Sequence, residues 1–78
     1  NPFYTQTQIF YYIPVAGSVS LFVCDSTGKR VATIVDNVVT APGSYKMNYV
    51  SELSCGVYFL GLLANRVCAA MKIICLGQ

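Results

Sequence analysis

Four cysteines carry the most reactive side chains of this chain. Cys24, Cys55, Cys68 and Cys75 follow one another at spacings of 31, 13 and 7 residues, and the chain contains no histidine. A zinc site would need four thiolates gathered from distant segments, so we expect no metal and no other cofactor. An even number of cysteines allows two disulfides. Buried free thiols, which pack as small apolar groups, are the alternative of equal weight.

No residue pattern predicts catalysis. Without histidine, a cysteine or serine nucleophile lacks its usual base. Asp25 and Asp36 flank a hairpin, and we interpret them as turn formers and surface charges. The glycines occur singly, so no phosphate-binding loop is present. The tyrosines follow strand alternation, which favours core packing and cross-strand pairs over a stacking platform. The set comprises Tyr4, Tyr11, Tyr12, Tyr45, Tyr49 and Tyr58. We therefore expect a protein that is not an enzyme.

The composition is unusually apolar. Of 78 residues, 55% are hydrophobic and 10% are charged, whereas about 25% charged residues is typical. This favours a surface that another domain, another copy or an assembly covers, although a small domain also needs a larger share of core. The net charge of +2 is spread out, so no nucleic-acid partner is expected. The longest apolar runs, residues 57–64 and 67–71, are too short for a transmembrane segment.

The elements that must position these residues are short β-strands. Alternating apolar residues predict six of them, separated by turn signals. They are residues 6–13, 19–24, 30–35, 44–50, 57–63 and 67–76. Residues 16–18 are predicted as a turn and residues 36–41 as a looser connection. The near-continuous apolar strand at 57–63 indicates a central position. The fold class is therefore all-β: one small immunoglobulin/fibronectin-III-like antiparallel β-sandwich of six to seven strands over residues 1–78.

The last hairpin gives a hypothesis for cysteine pairing. If Ala64 and Asn65 form a two-residue loop, paired residue numbers sum to about 129. A slip of one or two residues then sets Cys55 opposite Cys75. The favoured bridge is Cys55–Cys75, which leaves Cys24–Cys68. The spacing of Cys68 and Cys75 places them on opposite faces of a regular strand.

Several motifs, in order, carry a family resemblance. They are Asn1-Pro2-Phe3, Ile9-x-Tyr11-x-Ile13-Pro14, Val19-x-Leu21-x-Val23-x-Asp25, residues 28–35, Pro42-Gly43, Gly56-Val57-Tyr58-Phe59 and Lys72-Ile73-Ile74. With them the chain resembles the type A C-terminal sorting domain of the bacterial type IX secretion system and the immunoglobulin-like domain of the flagellar hook-cap protein. The resemblance implies a sorting and cell-surface attachment module, secreted or on the bacterial surface.

The same resemblance implies the partners. They would be the export machinery and an upstream passenger domain. Because the sequence shows no initiator Met and no signal peptide, we separately expect a mature product or an excised C-terminal piece. Recognition would lie on the last strand, because an edge strand offers unpaired backbone groups to a partner. The residues that carry recognition would be Lys72, Ile73, Ile74 and Leu76.

The alternative interpretation is a structural subunit that assembles with copies of itself into an extracellular filament or surface assembly. The first long strand is apolar on both faces, and such an edge pairs readily with another chain. The predicted assembly edge comprises Ile9, Phe10, Tyr11, Tyr12 and Ile13. Cysteines would then be able to link neighbouring copies.

Overall fold

The chain folds into seven β-strands, and the computed structural model describes residues 2–76. Among these residues there is no helix. The strands are β1 (Pro2–Phe3), β2 (Gln6–Ile13), β3 (Gly17–Asp25), β4 (Arg30–Thr40), β5 (Gly43–Val50), β6 (Gly56–Ala64) and β7 (Val67–Cys75). The all-β prediction and its count of strands are confirmed.

The strands form two sheets of unequal size. The larger has the order β1-β7-β6-β3-β4, and the smaller contains β2 and β5. The predicted central position of β6 is confirmed, because it lies between β7 and β3. Every pairing is antiparallel except that of β1 with the end of β7, which is parallel. This short parallel pair departs from the expected purely antiparallel arrangement and places Phe3 in the core.

The core lies between the inner faces of the two sheets. On β3, Val19, Leu21 and Val23 are fully buried, as their alternation with Ser20, Phe22 and Cys24 requires. From the smaller sheet, Ile9 and Ile13 point inward and are buried. The main cluster consists of Phe3, Ile9, Leu21, Val23, Tyr58, Leu60, Ile73 and Cys75. Burying each large aliphatic side chain contributes roughly 1.5–3 kcal/mol before entropy is counted.

Two predicted connections are strands instead. β4 runs on to Thr40, although residues 36–41 were expected to be a looser connection. Three register shifts interrupt its pairing with β3, and each adds a residue to β4. Asn37 takes a positive φ of 53° there, and its N–H donates to Ser20 Oγ at 3.0 Å. Such bulges break the period-two pattern, which is why the sequence did not show the strand. The predicted turn at 16–18 is also wrong, because β3 already begins at Gly17.

The last hairpin turns one residue later than predicted. Its loop is Asn65–Arg66, both at positive φ (49° and 66°), as a two-residue type I′ turn requires. The Asn65 side chain also donates from Nδ2 to Val15 O at 2.9 Å, which fixes the turn against the connection between β2 and β3. Ala64 therefore pairs with Val67, and paired residue numbers sum to 131 instead of 129.

Candidate functional site

The predicted assembly edge lies on β2, at one side of the smaller sheet. β2 pairs with β5, and within residues 2–76 no strand pairs along its other side, which we call the open edge. Ser51 N–H donates to Thr5 O at 2.7 Å, so odd-numbered residues direct their backbone groups towards β5. The even-numbered residues Gln6, Gln8, Phe10 and Tyr12 therefore direct their N–H and C=O groups out of the open edge.

The five predicted edge residues divide between two faces. Ile9 and Ile13 are buried in the core, whereas Phe10 and Tyr12 are 70% and 64% exposed on the outer face. Tyr11 points inward and stacks on Tyr45 of β5, with ring centroids 5.4 Å apart. Burial, followed by the nearby Tyr45, raises the pKa of Tyr11 above its ordinary value. The open edge thus combines apolar outer side chains with unpaired backbone groups.

A groove separates the open edge of β2 from β7. It consists of two adjoining hollows with cavity volumes of about 260 Å³ and 230 Å³, each several times the roughly 30 Å³ share of a water molecule. None of the described residues that line the groove is charged. They are Thr7, Gln8, Ile9, Phe10, Tyr11, Tyr12, Leu21, Tyr49, Leu60, Leu62, Ala69, Ala70, Met71 and Ile73. The groove can hold apolar side chains.

The groove exists because the two sheets differ in width. At a strand spacing of about 4.8 Å, the smaller sheet spans about 5 Å between strand axes and the larger about 19 Å. The smaller sheet covers β3 and leaves the inner face of β7 partly open. Ile73 is 2% exposed there, whereas Met71, two residues earlier on the same face, is 48% exposed. The side of the molecule formed by the open edge and by residues 67–72 of β7 is called the open side below.

The remaining strand edges carry features that discourage pairing. β4 is interrupted by its three register shifts and carries Arg30 and Asp36. β5 presents Lys46, which lies opposite Phe10 of β2. Natural sheets use bulges and charged residues of this kind to block edge-to-edge association. Residues 6–13 of β2 contain neither a charge nor a register shift.

The predicted recognition residues of the last strand lie in different environments. Lys72 is exposed on the outer face and Ile73 is part of the core. Ile74 pairs with Val57 on one side and with Pro2 on the other. Leu76 is exposed, and its N–H donates to Phe3 O at 2.7 Å. β1 therefore occupies the backbone edge at Ile74, whereas residues 67–72 pair only with β6 among the described strands.

All four cysteines are free thiols, so neither predicted bridge forms. Gly56, not Cys55, pairs with Cys75. Cys55 is exposed, whereas Cys75 is fully buried and its Sγ lies 3.5 Å from Tyr4 O. The opposite orientation predicted for Cys68 and Cys75 agrees with their exposed and buried positions.

The Cys24–Cys68 pair is separated by strand geometry. Cys24 pairs with Phe59 and Cys68 with Leu63, so these two cysteines are two strands and four residues apart. The strand spacings make that separation about 16 Å, whereas bridged Cα atoms lie within about 7 Å.

Asp25 organises the first hairpin through its hydrogen bonds. Asp25 accepts hydrogen bonds from Thr27 Oγ1 at 2.6 Å, Thr27 N at 2.9 Å and Lys29 N at 3.0 Å. These bonds, the Thr27 hydroxyl first, hold the pKa of Asp25 below its ordinary value. Asp25 thus forms the turn, as predicted, and Asp36 lies farther along β4. The described residues include no group of three or more His, Cys, Asp or Glu side chains that could hold a metal.

Sequence reasoning missed half of the open side. Leu60, Leu62 and Met71 line the groove, but their apolar character reads as ordinary core in the sequence. No local signal distinguishes Met71 from Ile73, because both occupy inward positions of the same strand. Their difference depends on how far the smaller sheet extends.

Comparisons with protein-family models, with curated proteins and with solved structures give no match to this chain. In the part of the chain that the structure describes, no helix has the length and apolar character needed to cross a membrane.

Proposed function

We propose that this chain is a non-enzymatic immunoglobulin-like structural module, secreted or exposed on a cell surface, that associates with further copies of itself through the open edge of β2. One observation carries the proposal: an uninterrupted, uncharged strand edge lies beside an uncharged groove. Unpaired edge groups template the addition of another strand, and the apolar groove favours a partner that excludes water.

The exposed aromatic side chains support association energetically. A strand added at the open edge covers the sides of Phe10 and Tyr12 that face it. Covering about half of their exposed area removes on the order of 125 Å² from water, or about 3 kcal/mol before the costs of association. Those costs are several kcal/mol for lost rotation and translation. Side-chain burial and backbone pairing must therefore act together, and disrupting either one weakens the contact.

Sedimentation velocity over a broad concentration range tests this function. We expect the wild-type chain to associate reversibly and Phe10→Lys to remain monomeric, because lysine at this position charges the edge. Val39→Lys is the matched control, since Val39 is 81% exposed on β4, away from the groove. A wild-type chain that stays monomeric at every concentration contradicts the proposal, as does equal loss of association in both variants.

Sorting and surface attachment is the second candidate function. The family resemblance supports it, together with the exposed position of Lys72 on the outer face of β7. Fusing the chain behind a passenger protein in a bacterium with a type IX system tests it by the amount of passenger secreted. Unchanged secretion after removal of the chain argues against this candidate.

A further inference from the structure

The open side has a stepped profile. On this side the smaller sheet ends at β2, whereas the larger sheet extends further, to β7. The inner face of β7 is therefore uncovered where it extends past β2. Each layer thus ends in an open strand segment, recessed in one layer and protruding in the other. A second copy turned by a two-fold rotation about an axis parallel to the strands presents the complementary step.

We infer that two copies interlock through this step, with residues 8–13 of β2 in each copy pairing with residues 67–72 of the other. This inference rests on the proposed self-association and names the contact surface. Each β7 fills the recess beside β2 of the other copy, so both sheets continue across the dimer. Met71, Ala69 and Val67, which point inward yet are exposed in the single chain, then pack against their equivalents between the layers.

The strand directions agree with this arrangement. Asn65, in the turn before β7, donates from Nδ2 to Val15 O just beyond the end of β2 at 2.9 Å. Cys75 Sγ, at the end of β7, lies 3.5 Å from Tyr4 O just before β2 begins. β2 and β7 of one chain therefore run antiparallel. A two-fold axis parallel to the strands preserves strand direction, so β2 is also antiparallel to β7 of the second copy. Antiparallel pairs are slightly more stable per residue than parallel ones.

The hydrogen-bonding phase of the two edges also matches. Leu76 N–H donates towards β1, so the even-numbered residues of β7 direct their backbone groups away from β6. On β2 the even-numbered residues likewise face the open edge. On both strands the even-numbered residues also carry the outward side chains, because the odd-numbered Ile9, Ile13 and Ile73 are buried. An antiparallel ladder requires this correspondence, since residues that exchange hydrogen bonds have side chains on one face.

The geometry assigns a register. Keeping each strand at its level sets Ile9 opposite Met71 of the second copy, Phe10 opposite Ala70, and Tyr12 opposite Cys68. The last pair lies on the outer face, where Tyr12 and Cys68 are both exposed in the single chain. Residues that exchange both backbone hydrogen bonds have Cα atoms about 5.5 Å apart, within the range of a disulfide.

The expected size of the contact is consistent with a reversible dimer. The six residues of β2 that face residues 67–72 span about 20 Å, and the smallest extent of the molecule is 17 Å. The product, on the order of 340 Å² per copy before the step adds area, corresponds to a small interface of the weak, reversible kind. The contact is isologous and closes on itself. It therefore yields a dimer, and a larger assembly would need a second surface.

Site-specific disulfide trapping tests the inference. In a chain carrying Cys24→Ser and Cys55→Ser, we expect Tyr12→Cys to form a covalent dimer under mild oxidation, with peptide mapping joining position 12 to the native Cys68. Adding Cys68→Ser removes this link, and Val39→Cys in place of Tyr12→Cys gives none. Links from position 12 to position 12 would overturn the inference and leave association through β2 standing. Absence of any link in a monomeric chain would overturn both.

A second measurement uses the strand that only this inference includes. By sedimentation, Met71→Lys is expected to weaken dimerisation at least about tenfold, as central interface substitutions do, and by as much as Phe10→Lys. Met71 is 48% exposed in the single chain, so the lysine leaves the fold intact by circular dichroism. If Phe10→Lys disrupts association and Met71→Lys does not, β7 is not part of the contact.

Discussion

Gly61 of β6 is expected to be favoured over alanine because of the aromatic ring opposite it. Gly61 pairs directly with Phe22 of β3. A Cβ at position 61 would lie 2.4 Å from Cε1 and 2.5 Å from Cζ of that ring, where no Cβ can remain. The Gly61→Ala substitution therefore forces the Phe22 ring off the strand. The ring also holds the Arg30 guanidinium, whose Cζ lies 3.9 Å from the ring centroid.

The magnitude follows from what the ring loses. Exposing about 40 Å² of apolar surface costs about 1 kcal/mol. Losing an exposed cation–π contact costs about 0.5–1 kcal/mol. Replacing a strand glycine by alanine stabilises the folded chain by about 0.5–1 kcal/mol, because the unfolded chain loses conformational freedom. The net destabilisation expected for Gly61→Ala is about 1 kcal/mol.

A double-mutant cycle separates these contributions. With Phe22→Ala the obstructing ring is absent, so Gly61→Ala is expected to stabilise the chain by about 0.5 kcal/mol. The assay is urea unfolding followed by circular dichroism, with all variants at one protein concentration because association would shift the midpoint. For a protein of this size, 1 kcal/mol moves the midpoint by about 1 M.

The control substitution is Gly56→Ala in the same strand. There the nearest Tyr58 ring atom would lie 3.6 Å from the new Cβ, an ordinary contact. We expect this variant to be as stable as the wild type or more stable. If Gly61→Ala has the same effect with and without the Phe22 ring, the steric explanation is refuted.

Three further outcomes are expected. Burial is the main cause that raises the pKa of Tyr49. The contribution of neutral Tyr49 to the stability of the folded chain is therefore complete below about pH 10, and it is lost as pH rises through the folded pKa. If the urea midpoint of Tyr49→Phe falls in alkali as much as that of the wild type, this explanation is refuted. The lowered pKa of Asp25 means that its ionised form stabilises the folded chain, and this contribution is lost as pH falls through the folded pKa. Thr27→Ala should therefore flatten the acid dependence of the urea midpoint. Cys55 should react with a thiol reagent in the folded chain, whereas Cys75 should react only after denaturation, because it is fully buried; fast labelling of Cys75 would contradict its placement.

Local sequence patterns are enough to locate most strands and the side chains that face the core. Alternation marked Gln6–Ile13 with its bounds as observed, and it marked Val19, Leu21 and Val23 as one face of β3. Turn chemistry identified Asp25, which accepts the hydrogen bonds of the first hairpin, and Asn65, which adopts a positive φ in the last one. These features are local, because side-chain period and φ preference depend only on neighbouring residues.

Long-range contacts set what each strand pairs with and what remains uncovered. The sequence marked β2 as an apolar edge strand but gave no sign that it belongs to a two-stranded sheet facing a wider one. The bulges of β4 shift its register against β3. The one-residue displacement of the last turn shifts the register of β6 against β7, so that Gly56 and not Cys55 lies opposite Cys75.

Sheet membership depends on contacts between residues far apart in the chain. Local periodicity constrains which face of a strand is buried, not which strand lies beside it. Met71 and Ile73 therefore look equivalent in the sequence, yet only Ile73 is covered in the fold. The open side, on which the proposed function depends, arises from the difference in width between two sheets.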